Sequence, residues 1–287
     1  KYTENVGSAY YVEKNITRPG VRDLYEKRKE EMRVSHIMFK KAGKSYDEVN
    51  ELASKIIDSL KAGSDWNEMV KKYTQDFPSK EIGGDSYYFT AGFIAPEFED
   101  AAYNTPVGTV YPKLVETKFG YHILKVTERQ PRKYKLVGRH ILIMKRDSSG
   151  KVNFDAAKLL ADSLYGEIKK GAEFETLAKE HSEDVNTAPD GGFLGPFERS
   201  MMVRDFDEAA FKMKSGEISE PVKTRFGYHI IKIDRELPYP EFQKAEEEFK
   251  ELFKRSRYES EYKKLIDSLK IKFNYKQNPA ASAVFLS

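Results

Sequence analysis

Two stretches of the chain, TKFGYHILKV at residues 117–126 and TRFGYHIIKI at residues 224–233, agree at seven of ten positions. The other three exchange one basic or aliphatic residue for another. The likeness continues upstream in the same order. VSHIMFK (34–40) parallels GRHILIMK (138–145), and IGGDSYYFTAGFIAPEFEDAAY (82–103) parallels DGGFLGPFERSMMVRDFDEAAF (190–211). The offsets are nearly constant: 104 residues from His36 to His140, 108 from Gly83 to Gly191 and 107 from His122 to His229. This period exceeds that of the common solenoid and propeller repeats, roughly 20 to 50 residues. Each copy is therefore expected to be a domain in its own right, with a small insertion in the second around Asp147 to Gly150.

Each copy reads as α+β. A short aliphatic, β-branched first segment (34–39; 138–144) suits a strand. In the first copy Val49, Leu52, Ala53, Ile56, Ile57 and Leu60 recur at helical spacing before Gly63. In the second, Ala156, Leu159, Leu160, Ser163, Leu164 and Ile168 do the same before Gly171. A shorter helix follows (65–73; 174–181), then a Gly-Gly turn with a brief strand, another short helix (97–103; 205–211) and the terminal strand that carries FGYHI. Residues 21–33 and 240–269 read as charged helices outside the repeats. The second of these has one apolar stripe that drifts across Arg255 to Arg257. The expected division is a helical flank 1–33, a first domain 34–128, a linker 129–137, a second domain 138–235, and a helical segment with a tail, 236–287. The tail from Asn278 is expected to lie outside any core.

Composition narrows the function. Forty-nine basic and 46 acidic residues are interleaved to a net charge of +3, so no concentrated field marks a nucleic-acid or anionic-lipid partner. No apolar run approaches the roughly 18 residues of a membrane span. The absence of cysteine excludes disulfides, thiolate metal sites and a cysteine nucleophile. The chain opens KYTENV, without an initiator methionine or a signal-like segment. That start fits a removed targeting segment as well as an excised fragment.

Four of the five histidines form two equivalent pairs: His36 with His122, and His140 with His229, each joining a first strand to a last strand. A strand histidine is most often a core residue, and recurrence in two copies shows common descent rather than catalysis. Two histidines are one ligand short of a catalytic zinc site. No HExxH, GxSxG, P-loop or GxGxxG motif occurs, so neither metal nor cofactor is expected. Lys40-Lys41 and Lys145-Arg146 read as solvated surface.

The ordered set of HIM/HIL on a first strand, a Gly-Gly turn, a short helix carrying FEDAAY or FDEAAF, and FGYHI on a last strand resembles the parvulin family of peptidyl-prolyl cis–trans isomerases. The likeness covers roughly residues 34–128 and 138–235. Two such domains with helical flanks resemble the SurA-type and PpiC-type periplasmic chaperones. The resemblance implies an FKBP-like α+β fold with a small, mainly antiparallel sheet, and rotation about X-Pro bonds without any cofactor. In the second copy it implies a proline socket of Leu194, Phe197, Met202 and Phe206 over a polar floor of His140, His229 and Asp184. In the first copy the matching residues are Phe89, Ile94 and Phe98 over His36, His122 and Asp76. Where the family prefers leucine the first copy has Ser86, and Ile94 replaces Met202. Where the family usually has aspartate the second copy has Phe193. The second domain is therefore expected to be the more active.

The resemblance also implies unfolded or newly translocated polypeptides containing X-Pro as partners, outer-membrane proteins among them. It implies a bacterial periplasmic or envelope location, with a lipid anchor supplied from outside this chain as one form. The competing expectation is a holdase whose parvulin domains bind clients with little or no isomerisation, and an inert spacer is a third.

Overall fold

The computed structural model describes residues 9–275. The tail expectation from Asn278 falls outside the described residues. The chain divides into two compact units, 1–131 together with 240–287, and 132–239.

The first unit opens with a helical run whose π turn, Glu13–Thr17, leads into α1 (Arg18–Lys27). Strand β1 (Glu30–Phe39) follows, then α2 (Tyr46–Lys61), α3 (Trp66–Tyr73), a single helical turn Phe77–Lys80, β2 (Asp85–Phe89), α4 (Pro96–Tyr103), β3 (Val115–Thr117) and β4 (Gly120–Pro131). The second unit repeats the series with β5 (Lys135–Ile143), α5 (Phe154–Lys169), α6 (Phe174–His181), β6 (Phe193–Phe197), α7 (Arg204–Lys212), β7 (Val222–Thr224) and β8 (Gly227–Leu237). Helices α8 (Phe242–Ser256) and α9 (Tyr258–Lys272) then return to the first unit. The sheets are antiparallel and four-stranded, in the orders β2-β1-β4-β3 and β6-β5-β8-β7. This is the expected α+β architecture.

The period-2 geometry of the two central strands sorts side chains onto two faces. In the first unit Ile37, Phe39, Tyr121 and Ile123 pack under α2 and α3. Met32, Val34, Leu124 and Val126 face Phe98, Ala101 and Ala102 of α4. The second unit does the same. Ile141, Ile143, Tyr228 and Ile230 lie under α5 and α6, while Leu136, Ile231 and Ile233 meet Phe197, Phe206 and Phe211. His36, His122, His140 and His229 are on the second of these faces, one step along the same strands.

Three local expectations change. The charged run 21–33 is not all helix, because residues 30–33 begin β1, where Met32 is fully buried against α4 and pairs with Arg129 on β4. Tertiary burial there overrides helix propensity. On α5 the buried stripe is Ala157, Ala161, Leu164 and Ile168, with Leu160 partly buried and Leu159 73% exposed. Leu159 lies about 200° of helix rotation from Ala157 and so faces away from that stripe. Finally, the C-terminal stripe breaks at Arg257 (φ −126°, ψ −26°), which separates α8 from α9.

Candidate active site

The Gly-Gly turns set the first histidine of each pair. Gly84 and Gly192 have φ +73° and +75°, and a Cβ on either would sit 2.2 or 2.1 Å from the carbonyl oxygen of His36 or His140. That closeness lets the His36 and His140 amides donate to the Gly84 and Gly192 carbonyls, at 2.8 and 2.9 Å. Only glycine meets both demands, a left-handed backbone and no side chain.

The second histidine comes from the neighbouring strand. His140 lies opposite Ile231 and Leu142 opposite His229, so the two imidazoles form a diagonal pair, with Nδ1 to Nδ1 at 3.1 Å. His36 and His122 repeat the register and the 3.1 Å distance. The aspartate is delivered by the segment after the second helix of each repeat, which is stitched to the histidine strand. The Gln75 amide donates to the Met38 carbonyl (2.8 Å), and the Glu183 amide to the Leu142 carbonyl (2.7 Å). Asp76 and Asp184 then reach Nε2 of His36 and His140, at 3.2 and 2.8 Å.

These contacts assign the protons. A carboxylate only accepts, so His140 donates through Nε2 and, being neutral, offers a bare Nδ1. His229 must then donate through Nδ1, which leaves its Nε2 to accept from a hydroxyl. Thr224 supplies it, with Oγ1 3.0 Å from Nε2, and the Phe226 amide donates to the same oxygen at 3.1 Å. In the first repeat Thr117 stands 2.9 Å from His122 Nε2 and accepts from the Phe119 amide. The result is one directional chain in each domain: amide, threonine, histidine, histidine, aspartate. Thr187 donates to Asp184 at 2.6 Å, and Ser79 donates to Asp76.

Sequence reasoning missed both strand threonines. They open the duplicated motif itself, but a β-branched residue ahead of a turn reads as ordinary strand composition.

Burial and the adjacent imidazole pull His122 and His229 down to about 3. Burial also lowers His36 and His140, against the opposing pull of Asp76 and Asp184. Burial pushes Asp184 up, but the Thr187 and His140 hydrogen bonds outweigh it and its carboxyl stays below the usual range. All four imidazoles are thus biased toward the neutral form, and in the second repeat their chain ends on the Asp184 carboxylate.

Aromatic walls stand on that floor. The Phe206 ring lies 5.9 Å from His140 and 5.3 Å from His229, edge-on to both, and Phe197 is 6.1 Å from Phe206. Leu194 and Met202 are half-buried against the same cluster. In the first repeat Phe98 lies 5.9 and 5.4 Å from His36 and His122, with Phe89 at 6.3 Å and Ile94 against the cluster. At the position of Leu194, exposed Ser86 donates to the Val34 carbonyl (2.7 Å) and adds no apolar wall. Phe193 is 42% exposed beside Arg139.

The geometry agrees with the comparisons to known proteins. Residues 22–130 and 140–235 each match a PPIC-type PPIASE domain, together well over half of the chain. The chaperone SurA of Pseudomonas syringae pv. tomato is 32% identical over 63% of this chain and 42% of its own length. The foldase protein PrsA of Geobacillus kaustophilus is 39% identical over 42% of this chain and 41% of its own. This chain thus spans less than half the length of either relative. The parvulin NmPin of Nitrosopumilus maritimus is 41% identical over 35% of this chain and 95% of that one, at a TM-score of 0.28. Two PPIC-type domain matches, over well more than half of its length, place the chain in the parvulin, or PPIC-type, family of peptidyl-prolyl isomerase domains.

Proposed function

We propose that the chain is a peptidyl-prolyl cis–trans isomerase and folding chaperone that acts on X-Pro bonds of unfolded polypeptides, with the second domain the more active. Rotation about X-Pro faces a barrier of about 18–20 kcal/mol, and no bond is made or broken. The twisted amide has lost conjugation and much of its charge separation. An apolar socket therefore disfavours the planar, charge-separated form more than the twisted one, and hydrogen bonds that fit only the twisted form lower the barrier further. Leu194, Phe197, Met202 and Phe206 would grip the ring in the second domain, and Phe89, Ile94 and Phe98 in the first. His140, His229 and Asp184, with His36, His122 and Asp76, would form the polar floor.

The observation that carries this reading is the paired imidazoles beneath a phenylalanine ring, with equivalent partners in both repeats. The ranking of the domains rests on the Leu194 and Met202 side chains, replaced by Ser86 and Ile94 in the first. No described helix is long and apolar enough to cross a membrane. By analogy with SurA and PrsA the protein would work in the bacterial periplasm or envelope, with outer-membrane polypeptides among its clients.

The test is X-Pro exchange by NMR on the full chain with His229→Ala and His122→Ala singly and together. The expected result is a larger loss from His229→Ala, and exchange at the uncatalysed rate in the double variant. Wild-type exchange no faster than uncatalysed would leave the second reading, a holdase. That alternative is favoured by the exposed Tyr10, Tyr11 and Tyr262 on the flanking helices and by exposed Phe273 just past the end of α9.

A further inference from the structure

Both repeats bury an acidic residue immediately after the socket phenylalanine: Glu99 after Phe98, and Asp207 after Phe206, at 1% and 0% exposure. Each ties its helix to the loop before it. Glu99 accepts from the Gly92 amide at 2.6 Å, and Asp207 from the Ser200 amide at 3.0 Å. In the first repeat that loop carries Ile94, so the carboxylate joins two walls of one socket.

A buried carboxylate needs a cation, since breaking a buried ion pair is strongly destabilising. The repeats obtain it differently. Asp207 has Arg199 of its own domain at 3.5 Å. Glu99 has Arg257, more than 120 residues beyond the end of its repeat at β4, at 3.2 Å. The break between α8 and α9 places Arg257, and its side chain is 7% exposed. Its guanidinium also donates to the Pro96 carbonyl, the first residue of α4, at 3.2 Å and to Asp100 at 2.6 Å. Glu261 of α9 holds it from behind at 2.9 Å, and Lys264 bridges Glu261 and Asp100. One side chain of the C-terminal helices thus grips the start of α4, the loop-tying carboxylate and the next turn.

We propose that Arg257 is a positioning residue for the first domain's X-Pro socket. By neutralising Glu99 and holding α4, it sets where Phe98 and Ile94 stand over His36 and His122, so that this socket is completed only when the C-terminal helices are docked. The inference rests on the isomerase reading for its functional meaning, and its structural content is tested separately.

The experiment records the imidazole ¹⁵N and ¹H signals of the full-length chain as wild type, Arg257→Met and Arg257→Lys. X-Pro exchange is measured for the same three in a His229→Ala background, where the remaining activity belongs to the first domain. Methionine is expected to shift or broaden the His36 and His122 signals and to leave those of His140 and His229 unchanged. Exchange should fall several-fold in turnover more than in affinity. Lysine keeps the charge without the two-pronged reach, and should produce the same changes to a smaller extent. If methionine unfolds the first unit, the lysine variant decides on the same signals. Unchanged His36 and His122 signals in the folded variants, or equal changes in both histidine pairs, would overturn the proposal. Exchange at the uncatalysed rate in the wild type would remove the isomerase reading alone, since the imidazole comparison does not depend on it.

Discussion

Tyr87 and Gly195 occupy the same position in the two repeats and share a left-handed backbone, with φ of 68° and 70°. Glycine adopts that conformation freely, whereas a side chain costs about 1–2 kcal/mol there. Tyr87 recovers part of the cost by lying against Arg33 (5.8 Å) and against Tyr88 (5.4 Å). Nothing lies within 4 Å of a Cβ built on Gly195, so Gly195→Ala isolates the backbone term. It should destabilise the second domain by about 1 kcal/mol, read as a lower midpoint in urea unfolding at unchanged slope.

Thr224 is the end of the imidazole chain that the sequence did not advertise. Thr224→Val keeps the shape but removes the only hydroxyl donor assigned to His229 Nε2, freeing that ring to change tautomer. The loss of one buried hydrogen bond, about 0.5–1.5 kcal/mol, corresponds to a roughly two- to tenfold fall in X-Pro exchange. Thr224→Ser should retain most of the rate, and an unchanged rate in the valine variant would show that the threonine does not set the floor.

The acid response follows from four lowered histidines. His122 and His229 are held to about 3 in the folded chain, against 6.5 for the unreacted side chain. His36 and His140 are lowered as well. Between those values the unfolded chain binds more protons than the folded one. Stability therefore falls as pH drops through 6.5 and is level above it. Protonation of Asp184, whose pKa is also lowered, adds a loss in the same direction at still lower pH. Above pH 7 the isomerisation rate should change little, because all four floor histidines are held below their ordinary 6.5. Chemical denaturation at stepped pH checks the first statement, and exchange rates across the same series check the second.

On the ranking proposed for the two sockets, one residue changed each way should narrow the gap between them. Met202→Ile should lower the second domain's rate and Ile94→Met raise the first domain's, each by less than about tenfold. These swaps conserve volume while changing flexibility. Domain-resolved exchange, with the other domain silenced at its last-strand histidine, gives the comparison.

Much of this was legible in the chain itself. The duplicated FGYHI marked both last strands and the collinear repeats marked both histidine pairs, because strand periodicity places alternate residues on one face regardless of context, while the domain type came from the likeness of the ordered motifs to the parvulin family. What escaped were features decided by packing. Met32 turns a charged helical run into a strand because its burial against α4 outweighs local preference. Leu159 points to solvent because the sheet takes the face of α5 that carries Ala157 and Ala161, and Leu159 lies on the opposite one. Thr117 and Thr224 look like any strand threonine until the neighbouring ring nitrogen is in place. Arg257 sits at a point where the stripe drifted, which gave no hint that it would be buried against Glu99.

The division of the chain also fixes an order of assembly. The second unit is one uninterrupted segment, 132–239, whereas the first needs residues on both sides of it. During synthesis, domains fold as their sequence becomes available. The second unit has all its strands once β8 has emerged, while the first must wait for α8 and α9 to close a loop of more than 100 residues, an entropic step that grows only slowly with length. The unit begun first is therefore closed last, although its own four strands, β1 to β4, are all encoded before the second unit begins.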